Sequence, residues 1–149
     1  STFARGRCAE LSGRGCGVRV GLVSGAHLDV LDSLFFDNAG TDLDIEGSIQ
    51  LGDGSASADS SLVAHVGGSL PLDAQRVLAG DPRFVDAANG DFHLRDDSPF
   101  INLGLAAVPA YAFDVIDLDG SLRSRFGAAD PGAYENQTWD FLFADGFER

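Results

Sequence analysis

The sequence predicts an all-β fold, and three observations carry that prediction. Apolar and polar residues alternate in short runs. Gly, Asp and Asn punctuate the chain between those runs. One short motif returns after 28 residues, from Ser33 to Ser61. Period-2 alternation gives a strand one buried and one wet face, and frequent turn residues cut a chain into many short segments.

The first strand candidate is the Val-rich run from Gly17 to Val23. In the run from His27 to Phe36, Leu28, Val30, Leu34 and Phe36 share one parity, broken only by Asp32. Leu43 and Ile45 alternate strictly with Asp42, Asp44 and Glu46, and Ser61 to Val66 forms another short apolar run. The stretch Leu70 to Leu78 reads as a short helix, kept brief by Pro71 and by Gly80 just beyond it. The echo pairs Asp32-Ser33-Leu34-Phe35 with Ser60-Ser61-Leu62-Val63. Its spacing falls among those of stacked repeats. Two architectures fit short strands with many turns: an antiparallel sandwich, or coils stacked one on another with Asp37-Asn38 at a turn.

The second half of the chain favours the coils. It carries Asp81-Pro82-Arg83-Phe84-Val85-Asp86, then Asn89-Gly90-Asp91-Phe92-His93-Leu94, then Asp97-Ser98-Pro99-Phe100-Ile101. Asp117-Leu118-Asp119-Gly120 and Asp130-Pro131-Gly132-Ala133-Tyr134-Glu135 follow. This series, about a third of the chain, resembles the closing module of bacterial exported proteins of the right-handed parallel β-helix, pectin-lyase-like class. It departs from that pattern at Asp97, Phe100 and Pro131. The resemblance implies an all-β, right-handed parallel β-helix of roughly three or four coils with a C-terminal cap. The expected organisation is coils over 1–79, a closing module over 80–136 and an aromatic tail over 137–149. In the module, Phe84, Val85, Phe92 and Leu94 are expected to form short covering strands, and Tyr134 to anchor the returning chain. The tail, with Trp139, Phe141, Phe143 and Phe147, is similar to short endings of some proteobacterial exported proteins. It reads either as a recognition tail or as a last packed strand.

Charge narrows the partners. The 149 residues hold 23 acidic and 10 basic side chains, a formal net charge of −13, and every basic one is Arg. Such a chain offers no general phosphate-neutralising surface, so nucleic acid and anionic membranes are disfavoured as partners. No apolar run approaches the roughly 20 residues of a membrane-spanning helix. The absence of Met, even at position 1, points to a processed or excised chain. Cys8 and Cys16 flank a Gly- and Arg-containing turn, where a disulfide would fit an oxidising compartment; two unpaired thiols are the alternative.

Few residues offer chemistry. Asp42, Asp44 and Glu46 lie on one side of one strand, about 7 Å apart, and are the candidate cation site, with calcium the cofactor considered. Their competing reading is a solvated face. Asp114 to Gly120 resembles a calcium loop, but an EF-hand alignment places Val115 and Phe126 at ligand positions, which excludes that loop. Arg19 is the one candidate base, against the reading of an exposed strand Arg. Asp96 and Asp97 are adjacent, so on a strand they point apart. His27, His65 and His93 share no spacing and read as surface histidines.

The expected function is a non-catalytic secreted or cell-surface module, structural or glycan-facing, that ends a longer protein. The alternative is the terminal part of a polysaccharide lyase or glycoside hydrolase of the same class. Polysaccharide or cell-surface glycan is the expected partner. End-to-end self-association through an open first coil is a further expectation.

Overall fold

The structure is a computed structural model that describes residues 1–6, 17–48, 50–106, 116–123 and 128–138. Cys8 and Cys16, the residues from 139 onward, Asp114 and Phe126 lie outside them. The chain divides into two compact units, Ser1–Ala79 and Gly80–Arg149. The described residues contain strands, turns and one short 3-10 turn, with no α-helix, and no helix among them is long and apolar enough to cross a membrane.

The first unit holds β1 (Thr2–Ala4), β2 (Val18–Leu22), β3 (His27–Leu31), β4 (Leu34–Phe36), β5 (Leu43–Gly47), β6 (Ser55–Asp59), β7 (Val66–Gly68) and β8 (Asp73–Gln75). All their pairings are parallel, in three ladders. One ladder joins β1 to β4, and Leu34 of β4 then bridges Leu62. The second runs β2-β5-β7 and the third β3-β6-β8. The chain visits the three ladders in the same order each time it returns. The 28-residue echo is the offset between stacked neighbours: Ser33 N–H donates to Ser61 Oγ at 3.0 Å, 28 residues along. Leu62 N–H donates to Ser33 O, and Phe35 N–H to Leu62 O.

The core is assembled from the inward faces of all three ladders. Phe35 comes from the first, Leu22, Leu43 and Ile45 from the second, and Val30, Ala56 and Ala58 from the third. Leu34, Leu43 and Ile45 are fully buried. Phe35 also stacks on Phe3, with ring centroids 4.9 Å apart.

Each strand of the third ladder ends on a left-handed residue: Asp32 (φ 44°), Ser60 (φ 48°) and Arg76 (φ 44°). None of these is Gly, so each corner carries strain of about 1–3 kcal/mol. Side chains hold the corners in place. Ser61 Oγ donates to Asp59 O at 2.8 Å, and Arg76 clamps both Asp59 carboxylate oxygens at 2.7 Å. That pair holds the Asp59 carboxyl below the usual carboxylate range, the Arg76 hydrogen bond being the main cause.

Three expectations are corrected here. Parity does not carry from β3 into β4, because the left-handed Asp32 turns the chain, and Phe35 rather than Phe36 enters the core. The expected helix over Leu70 to Leu78 is not formed; its centre is β8, held by parallel pairing of Asp73, Ala74 and Gln75 with Ser57, Ala58 and Asp59. The expected strand over Ser61 to Val66 is reduced to the Leu62 bridge, and the regular strand begins only at Val66.

In the second unit, β9 (Phe84–Asp86) and β10 (Asp91–Leu94) pair antiparallel. Between them lies the 3-10 turn Ala87–Asn89, capped by the Asp86 carboxylate and closed by Gly90 at φ 89°. Gly is favoured at such an αL closing position. Phe84 and Phe92 meet edge to face, with centroids 5.3 Å apart. A second small turn is fixed where Ile116 bridges Leu122.

One glycine carries a testable burden. A Cβ on Gly68 would lie 2.1 Å from Ile45 O, and the residue sits at φ +97°. A Cβ on Gly21 would meet nothing within 4 Å. Gly68→Ala is therefore expected to cost more than about 2 kcal/mol in denaturant unfolding, with Gly21→Ala staying within about 0.5 kcal/mol. Equal effects would contradict the close approach of β7 to β5.

Candidate functional site

The outward face of the third ladder concentrates exposed polar chemistry. Alternation along β3 and β6 sends Val30, Ala56 and Ala58 inward and His27, Asp29, Ser55 and Ser57 outward. Parallel register then sets His27 beside Ser55, and Asp29 beside Ser57, which in turn neighbours Asp73. Neighbouring strands stand about 4.8 Å apart, close enough for direct side-chain bonds across the ladder.

Those bonds form a connected row. His27 Nδ1 lies 2.7 Å from Ser55 Oγ, and His27 Nε2 lies 2.9 Å from Asp29 Oδ1. Ser57 donates to the same Asp29 oxygen at 2.6 Å. A carboxylate only accepts, so the His27 proton belongs on Nε2, which leaves Nδ1 as the acceptor for the Ser55 hydroxyl. The Ser57 hydrogen bond is the main cause that holds the Asp29 carboxyl below the ordinary range; partial desolvation opposes it and His27 assists. Beside them Gln75 donates to Asp73 at 3.3 Å. His27 is 47% and Asp29 37% exposed, so the row is reachable from solvent.

The candidate cation residues are arranged differently. Asp42 and Asp44 are each only 3% exposed, so the expected wet acidic strip is not present at these two positions. Asp42 Oδ2 accepts from Ala64 N–H and His65 N–H, both at 3.0 Å, and Asp42 Oδ1 accepts from Asn38 Nδ2 at 3.1 Å. Its carboxylate caps the next pass of the chain. Asp44 and Glu46 instead face Arg19, whose guanidinium lies 3.5 Å from Asp44 Oδ2 and 3.6 Å from Glu46 Oε1. This is the position of Arg19, the candidate base: its guanidinium is engaged by two carboxylates. Among the described residues no group of three or more His, Cys, Asp or Glu side chains is placed to hold a metal ion.

The other sequence candidates are also engaged. Asp96 accepts from Thr138 Oγ1 and Asn136 Nδ2, whereas Asp97 pairs with Arg83 and Arg95. Asp117, in the segment that resembles a calcium loop in sequence, takes N–H groups from Asp119, Ser121 and Glu135. All three histidines meet carboxylates: His65 lies 3.7 Å from Asp42, and His93 is clamped between Asp91 and Asp119 at 2.6 and 2.7 Å. Tyr134 stacks on the His93 ring at 3.8 Å. An open apolar cleft of about 480 Å³ beside β7 and β8 is lined by Val63, Val66, Leu70, Leu72 and Val77, and carries no titratable group.

Sequence reasoning passed over Ser55 and Ser57, because Ser-Ala-Ser-Ala alternation is too weakly apolar to announce a strand. A usable signal was present. Extending the 28-residue echo backwards from Ser33 and Ser61 sets His27 against Ser55 and Asp29 against Ser57.

Two buried carboxylates in the second unit, Asp130 and Glu135, contribute to its response to pH, and Asp117 is buried near Glu135. Asp117, Asp130 and Glu135 are at most 7% exposed. Glu135 accepts from Asp130 N–H through Oε2, and its Oε1 is buried without a hydrogen-bond partner. Desolvation, with Asp130 and Asp117 nearby, raises the Glu135 carboxyl from 4.5 to about 8. Desolvation raises Asp130 as well. At His93 desolvation pulls down, but hydrogen bonds to Asp119 and Asp91 outweigh it, and the net shift is upward. A carboxyl raised in the folded state keeps its proton where the unfolded chain has lost it, so stability falls as pH climbs from 4.5 towards about 8. The raised His93 acts in the same direction: its contribution is full below its unfolded value and lost as pH passes the folded one.

Hydrogen-exchange protection of residues 80–106 is therefore expected to weaken between pH 4.5 and about 8 once intrinsic exchange rates are divided out. Glu135→Gln, uncharged throughout and still an acceptor for Asp130 N–H, is expected to flatten much of that slope. An unchanged slope would remove Glu135 as its source.

Compared with protein-family models, curated proteins and solved structures, the chain matches none.

Proposed function

We propose that this chain is a parallel β-helix module of a secreted or cell-surface protein, with the outward face of the third ladder turned to polysaccharide or cell-surface glycan. The ladder order supports the β-helix reading: successive strands visit three parallel ladders in a fixed cycle around a shared apolar core. Parallel crossovers are almost always right-handed, which favours that hand here. A net charge of −13 suits a protein kept soluble outside the cell and turns it away from phosphate-rich partners.

The in-register polar row His27–Ser55 and Asp29–Ser57–Asp73 carries the glycan reading. Its hydroxyl, imidazole and carboxylate groups alternate donors with acceptors at spacings set by the sheet. Sugar hydroxyls both donate and accept, so they are the complementary chemistry. The face is open and rigid, which suits an extended polymer lying across strands. The cleft beside β7 and β8 is lined by Ser61 and Ser69 but by no imidazole or carboxylate, and does not serve this reading.

Titration with neutral and acidic polysaccharides, with and without calcium, tests the proposal by amide chemical-shift mapping. Shifts are expected to concentrate on β3, β6 and β8, and His27→Ala is expected to weaken binding about tenfold, the value of one or two net hydrogen bonds. No response on this face to any polysaccharide would leave the module as a structural element only.

A further inference from the structure

We propose that Ser55 is a nucleophile for acyl transfer, with His27 as its general base and Asp29 as the positioning residue for that base. This goes beyond the reading above, which gives the face no chemistry. It does not require that a glycan bind there.

The geometry provides each role. The Ser55 hydroxyl meets His27 Nδ1 at 2.7 Å, within the reach a general base needs. Asp29 takes the Nε2 hydrogen at 2.9 Å and so fixes the tautomer that leaves Nδ1 free to accept. Ser57 donates to the same carboxylate at 2.6 Å and holds it against rotation. Nucleophile and base are direct partners in a parallel ladder, and so are the positioning residue and Ser57. The backbone therefore holds all four side chains in one relative placement. Both ring nitrogens of His27 are committed, one to a hydroxyl and one to a carboxylate, which is the arrangement that activates a serine.

The chemistry balances without a cofactor. Ser55 Oγ bonds to the carbonyl carbon of an ester while its proton passes to His27 Nδ1. The ester C–O bond breaks, and the leaving alkoxide takes that proton and departs as the alcohol. Water then attacks the acyl-serine, giving its proton to Nδ1; the acid leaves and Ser55 recovers the proton.

Magnitudes fix the substrate class. A positioned base gives about 10²–10⁴-fold. Backbone N–H groups within the ladder are directed to neighbouring strands, so the about 10²–10³-fold that an oxyanion donor adds is not supplied by the strands themselves. The site therefore suits small-acyl esters with good leaving groups, and not amides. The open face places no side-chain wall around the acyl group.

The test uses the whole chain with 4-nitrophenyl acetate, measuring 4-nitrophenolate release and locating the acetyl group by peptide mass spectrometry. Release about 10²-fold above the same concentration of free imidazole is expected, with acetyl on Ser55. Ser55→Ala and His27→Gln should return release to the imidazole level. Asp29→Asn should slow acylation about tenfold or more, because an amide no longer fixes the tautomer. Matching circular dichroism would establish that the variants are folded, and adduct mapping needs no variant at all. Unchanged release from Ser55→Ala would mean that the imidazole acts alone, and would overturn the proposal. Acetyl found only on another residue, or no adduct and no release above free imidazole, would do so too. Polysaccharide titration of the unaltered chain keeps the two readings apart, since glycan binding can fail while acetylation of Ser55 persists.

Discussion

Parallel, in-register pairing is the constraint on which the first unit depends. β5 lies between β2 and β7, and β6 between β3 and β8, so each central strand has both edges satisfied. Parallel neighbours cannot be joined by a tight hairpin; the chain must travel elsewhere before it returns. In this unit the intervening chain supplies strands to the other two ladders. The same backbone bonds that hold one ladder thereby space the others, and the side chains inside meet as one core of Leu22, Val30, Phe35, Leu43, Ile45, Ala56 and Ala58. Gly68 follows from this arrangement, since β7 can approach Ile45 O only where a side chain is missing.

The acidity of the chain has a second use besides solubility. Asp42 caps Ala64 and His65. Asp130 receives Asn102 and Asn136 N–H groups, and Asp117 receives three others. Buried N–H donors in irregular segments need acceptors, and a carboxylate provides two oxygens with strong, charge-assisted bonds. Short strands joined by many turns leave many such donors. This explains why Asp42, one of the carboxylates that look like a cation site in the sequence, is turned onto the protein's own backbone. Glu135 differs: burial first, and then Asp130 and Asp117 nearby, make the neutral acid the better-tolerated form.

Rigidity and exposure come together on the outer face of the third ladder. Backbone pairing fixes where His27, Asp29, Ser55 and Ser57 stand, and the inward Ala and Val residues leave them no choice of face. A loop could present the same groups, but with less positional precision. The corners that follow these strands are strained at Asp32, Ser60 and Arg76. The Asp59–Arg76 clamp and the Ser61 hydroxyl hold two of the corners in register and so bear indirectly on the spacing of the face.

The sequence by itself determined the all-β class, because alternation and turn residues act locally: Leu43 and Ile45 point inward whichever strand lies beside them. It also contained the 28-residue stacking offset at Ser33 and Ser61, since residues that repeat a corner must satisfy the same backbone geometry. The pairing partners and the candidate site were decided only by tertiary structure. Parity ran through Asp32 on paper, whereas the left-handed corner turned Phe35 inward. Asp42 looked solvated because its backbone donors lie more than 20 residues away, at Ala64 and His65. Ser55 carried no local signal of chemistry at all. A hydroxyl acquires one only when a base is brought to it, and parallel pairing across 28 residues brings His27 there.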